Sequence, residues 1–140
     1  MHTSYMLSFL TMAISECKND QLESITLRSA KLCDVRAAAF FDMLGEKQHR
    51  VTHLALPGCV LGTAGWTKLA NLLVSPASNI HNLDISKTCL HDRSIAIISN
   101  ALIKNNTLRT LRLHWHYRNH PLTKNGWRIF SGVISHPMCT

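Results

Sequence analysis

Apolar residues recur along this chain at fixed offsets. In QLESITLRSAKLC they are Leu22, Ile25, Leu27, Ala30 and Leu32, and in RVTHLALPGCVLG they are Val51, Leu54, Leu56, Cys59 and Leu61. In NIHNLDISKTCLH the same offsets hold Ile80, Leu83, Ile85 and Leu90, with Thr88 at the fourth place. A fourth copy opens with Leu108, Leu111 and Leu113. The starts are separated by 29, 29 and 28 residues, the mark of a chain built from repeated structural units. Within each copy the Leu-x-Leu alternation puts successive apolar side chains on one face, as in a short, half-buried strand.

The second half of each unit repeats as well. Eighteen residues after each start stand Phe40, Leu69 and Ile98, and four further on stand Leu44, Leu73 and Leu102. That i, i+4 spacing places each pair on one side of a helix. RAAAFFDML, WTKLANLLV and SIAIISNALI are therefore predicted as short amphipathic helices, one preceded by Gly65, with Asp34 and Asp92 as candidate caps. Each unit reads as strand, turn, helix and return. In the fourth unit Leu122, Gly126, Trp127, Phe130 and Ile134 match Leu61, Gly65, Trp66, Leu69 and Leu73, but arrive four residues late. HWHYRNHP, residues 114–121, thus carries a four-residue insertion in a strand-to-helix turn. Trp66 and Trp127, at one repeat position, are expected to be packing wedges between units.

The pattern L-x-x-L-x-L-x-x-(N/C)-x-L with a helix in each unit resembles a leucine-rich repeat, and the 28–29-residue spacing is similar to the ribonuclease-inhibitor (RNI-like) type. The resemblance covers nearly the whole chain. It implies an α/β fold, a right-handed solenoid forming a short horseshoe arc, with parallel strands on the concave face and helices on the convex face. Cys59 stands where the family places an asparagine or cysteine that hydrogen-bonds the turn backbone inside the array. Ala30 and Thr88 depart from that pattern, so the implied ladder is weak there. The motif specifies an architecture and no activity.

On this reading residues 1–140 form one array: a partial leading repeat at 1–21, then repeats at 22–50, 51–79, 80–107 and 108–140. Leu10 and Ile14 fit the helix of a leading unit whose strand is missing, and residues 130–140 fit a final helix and its exit. Neither end carries a recognisable polar cap, which solenoids generally need. The expectation is a fragment of a longer array, or a short array that needs a neighbour.

Composition narrows this little. Apolar content of 46% against 16% charged residues is that of a globular domain. Five cysteines, an odd count without a C-x-x-C, argue against a complete disulfide framework or a zinc module, and point to a reduced compartment, cytoplasmic or nuclear. Residues 5–14 have the apolar length of a secretory core, but no lysine or arginine precedes them and they are too short to span a bilayer. Neither a signal peptide nor a membrane partner is expected. The net charge of +7 favours acidic partners only where it is gathered on one face.

The strand face is where such arrays bind. Its outward positions are Ser24, Thr26 and Arg28, then His53, Ala55 and Pro57, then Asn82, Asp84 and Ser86, then Thr110, Arg112 and His114. The first three rungs are small and mixed in charge. The fourth, with its loop, gathers Arg109, Arg112, His114, Trp115 and Arg118, the residue types that dominate binding hot spots. The expected partner-binding set is therefore Thr26, Arg28, His53, Asn82, Asp84, Arg109, Arg112, His114, Trp115 and Arg118. Three histidines, His114, His116 and His120, have ligand chemistry, but alternate strand residues face opposite sides and no nearby carboxylate orients them; no metal and no cofactor is expected. The chain has no G-x-S-x-G, no phosphate-cradling glycine loop and no H-E-x-x-H. Its expected role is a non-catalytic protein–protein interaction module binding an unidentified protein. Two other readings stay open: a basic RNA- or phosphate-binding module centred on the 109–118 loop, and a structural spacer of a longer chain.

Overall fold

A computed structural model describes residues 12, 22–32, 35–46, 50–114 and 122–136. Among the described residues six strands and four helices follow in order: β1 (Ser24–Thr26), β2 (Lys31–Leu32), α1 (Val35–Glu46), β3 (His53–Ala55), β4 (Val60–Leu61), α2 (Thr63–Val74), β5 (Asn82–Asp84), α3 (Asp92–Lys104), β6 (Thr110–Arg112) and α4 (Lys124–Ile134). The fold is mixed α/β. Its main sheet has four parallel strands in the order β1-β3-β5-β6, and it does not close into a barrel. The register follows the sequence period, pairing Ser24 with His53, His53 with Asn82, and Asn82 with Thr110. A second, two-stranded ladder pairs β2 with β4, Lys31 opposite Val60 and Leu32 opposite Leu61. The sequence pattern gives this segment as turn, since two residues are too few for a visible alternation.

One core runs through the units. Ile25, Leu54 and Leu83 are buried at the centres of their strands, with Leu32, Leu61, Leu56 and Ile85 beside them. Phe40, Leu69 and Ile98, one per helix, are completely buried. Each helix packs on the next, α1 on α2, α2 on α3 and α3 on α4. Helix α4 begins sixteen residues after Leu108, whereas α2 and α3 begin twelve after Val51 and Ile80. The four-residue delay is present in the fold; residues 115–121, where the insertion falls, lie outside the described residues, as does the leading unit apart from Met12.

Turn chemistry differs from rung to rung. Cys59, fully buried, donates its Sγ–H to Leu27 O of the preceding unit at 3.1 Å. Thr88 instead bonds within its own unit, donating Oγ1–H to Ile85 O at 2.7 Å. Ala30 has no side-chain donor to offer. Ser29, Gly58 and Lys87, spaced by the repeat, all adopt left-handed backbone, with φ of 52°, 71° and 59°. Only glycine takes that conformation without steric cost.

The helix starts correct two sequence expectations. Gly65 does not precede α2 but is its third residue, and Gly126 is the third residue of α4. A Cβ on Gly65 would lie 2.5 Å from Leu32 O, so the helix approaches the preceding unit at a distance only glycine allows. Asp92 is the first residue of α3, capped ahead by His91, whose N–H donates to Ser94 Oγ at 2.7 Å. The Asp92 carboxylate acts across to the next unit, accepting Thr123 N–H at 2.8 Å and Thr123 Oγ1–H at 2.5 Å. Asp34 lies outside the described residues. Asn105 similarly ties its unit to both neighbours, donating to Leu73 O at 2.5 Å and accepting from Leu108 N–H at 2.6 Å. Among the described residues no helix is long and apolar enough to cross a membrane.

Candidate functional site

The sheet register sorts the outward residues into rows. Ser24, His53, Asn82 and Thr110 form one row; Thr26, Ala55, Asp84 and Arg112 form the next. Because strand residues alternate faces, the apolar residues between these rows point into the core. Leu54 and Leu83 fix the strands from beneath, and the rows above inherit fixed spacing.

Hydrogen bonds link the first row from rung to rung. Asn82 donates its amide to His53 Nε2 at 2.7 Å, which leaves the proton on Nδ1, 2.8 Å from Thr52 Oγ1. Thr52 in turn donates to Glu23 O at 3.4 Å, so a polar chain crosses three units. Asp84 is held by its own turn, Oδ1 accepting Ser86 N–H at 2.9 Å. Its register partner is Arg112, so residues of opposite charge occupy neighbouring positions in the row, with no ion pair between them. A cleft of about 300 Å³ lies over this surface, lined by Ser24, His53, Asn82, Asp84, Thr110 and Arg112 among others.

Of the residues expected to bind, His53, Asn82, Asp84 and Arg112 are brought to this one cleft. Thr26 and Arg28 are exposed at the β1 end, outside its lining. Arg109 is exposed at the far edge, beside β6, where it lines a different groove. His114 is exposed, and its carbonyl accepts Lys87 N–H at 2.7 Å. Trp115 and Arg118 lie outside the described residues, as do His116 and His120. Ser86, assigned to the outward face from its spacing, is buried, because the turn folds it back behind Asp84. Sequence alone misses Thr52: it sits off the strand-face alternation, and its role depends on the His53 tautomer.

The arrangement can present fixed donors, acceptors and one pair of opposite charges to a polar surface. Among the described residues no group of three His, Cys, Asp or Glu side chains is placed to hold a metal ion. Burial pushes the Cys59 thiol up, which opposes nucleophilic use. The Thr123 hydroxyl, bonded to Asp92, holds that carboxyl below the usual aspartate range. No protein-family model matches the chain, and no curated protein matches it.

Proposed function

We propose that this chain is a non-catalytic protein-recognition module of the leucine-rich repeat kind, a short RNI-like solenoid that binds its partner on the strand face. The observation that carries the reading is the row-by-row register of outward residues, 28–29 residues apart in sequence and adjacent in the sheet. A surface so ordered loses little side-chain freedom on binding, because His53 and Asn82 already restrain each other and Asp84 is held by its turn. The partner is a protein whose polar groups complement the His53–Asn82 pair and the Asp84–Arg112 pair. The two described cysteines, Cys59 and Cys89, are free, which suits the cytoplasm or nucleus.

The test is site-directed photo-cross-linking in a native extract, with and without nuclease. A photoreactive residue at position 84, on the strand face, is expected to trap a discrete protein that the same residue at position 67, on the helix side, does not. Equal trapping from both positions contradicts strand-face recognition. Trapping at 84 that nuclease abolishes replaces it with the nucleic-acid reading.

A further inference from the structure

We propose a second binding surface, which shares only Arg112 with the strand-face cleft: a groove between the outer edge of β6 and the outer side of α4 that takes an extended peptide of alternating apolar and acidic residues. The peptide adds to the sheet as a further parallel strand. The interior of the molecule supplies the template. Leu27, Leu56 and Ile85 hold one repeat position, and each donates its N–H to the next strand, to Ala55 O, Asp84 O and Arg112 O at 2.8, 2.7 and 3.1 Å. Leu113 is the fourth member of that series, and among the described residues β6 has no further strand beside it. An edge strand of this kind is a template for strand addition.

Side chains follow the same logic. Leu69 and Leu73 are 0% and 1% exposed because the third unit covers them, whereas Phe130 is half-buried and Ile134 is 68% exposed at the same positions of the fourth. Together with Leu111, Leu113 and Val133 they line a groove of about 390 Å³. Apolar residues of an added strand, one in every two, would fill it.

The alternate residues face cations. Arg109, on the groove lining, and Arg112, on the adjacent row, are exposed, and among the described residues neither has an ion-pair partner. Arg112 already has Asp84 as its register neighbour within the sheet, so an acidic residue on its open side completes an alternation of charge. A second copy of this chain fits poorly, since it brings a net charge of +7 and its own arginines to the same edge.

The experiment is fluorescence polarisation on the full chain with two labelled probes, Leu-Glu-Leu-Glu-Leu-Glu and Leu-Lys-Leu-Lys-Leu-Lys. Saturable binding of the glutamate probe is expected, about tenfold tighter than the lysine probe, with the preference reversed by Arg112→Glu. Ile134→Glu, at an exposed side chain, is expected to weaken the glutamate probe about tenfold with an unchanged circular dichroism spectrum. His53→Ala and Asn82→Ala leave the affinity unchanged, which separates this groove from the strand face. No saturable binding of the glutamate probe, or a preference that Arg112→Glu leaves intact, overturns the proposal. So does a dimer in sedimentation equilibrium that Ile134→Glu dissolves, which assigns the groove to a second copy.

Discussion

Lys87 and Ser29 adopt left-handed backbone where the equivalent Gly58 does so freely. For an L side chain that conformation costs roughly 1–2 kcal/mol, partly offset by the greater entropy glycine loses on folding. Lys87→Gly is therefore expected to raise the unfolding free energy by about 0.5–1 kcal/mol, and Gly58→Ala to lower it by about 1–2 kcal/mol, both read from urea denaturation. A destabilising Lys87→Gly would show that the turn is held by something other than backbone preference. A further residue-scale contrast is chemical. Cys59 is buried with its thiol bonded to Leu27 O, while Cys89 is exposed. Native alkylation followed by peptide mapping is expected to label Cys89 on the order of a hundredfold faster than Cys59. Comparable rates would mean that the turn opens freely. The sequence identified Cys59 as the inward turn residue, because its offset repeats. It was silent on the left-handed turns, since serine and lysine carry no backbone signature and only Gly58 marks the position.

Among the elements, the helix starts are where units are fastened together. Gly65 lets α2 meet Leu32 O, and Gly126 lets α4 sit against Asp92 and against Leu122, whose Cδ1 would be 2.6 Å from an added Cβ. Gly65→Ala forces the helix off a backbone oxygen and is expected to destabilise by about 1–3 kcal/mol in chemical denaturation. A cost near zero would mean that α2 shifts without loss of packing. At α4 the fastening is electrostatic as well. Asp92 titrates lower when folded than when unfolded, so its contribution is complete above the unfolded aspartate pKa of about 4 and is lost as pH falls through the folded value. Asp92→Ala should thus lower Tm at pH 7, and the gap from the unsubstituted chain should close as both are acidified below pH 4. A gap independent of pH would assign the effect to packing. Helix positions were legible because Phe40, Leu69 and Ile98 repeat with i+4 partners. The Asp92–Thr123 bond was not, because it joins residues 31 apart whose proximity depends on how α3 and α4 stack.

For the whole molecule, the parallel sheet and its order follow from the 28–29-residue period, since equal units joined by helices place equivalent strands side by side. The candidate site was partly legible for the same reason. His53, Asn82, Asp84 and Arg112 could be assigned to one face by alternation, yet their meeting in one cleft depends on register and on side-chain hydrogen bonds. The edge groove was not visible at all, because Leu111, Phe130 and Ile134 read like core residues until the absence of a covering strand among the described residues is seen. On the proposed reading the strand face recognises a protein. The most direct test of that reading is affinity capture from a nuclease-treated extract, using the chain and a His53→Ala/Asn82→Ala/Asp84→Ala variant of matching circular dichroism. A discrete protein held by the chain and lost with the variant is the predicted result; the same protein held equally by both would contradict the account.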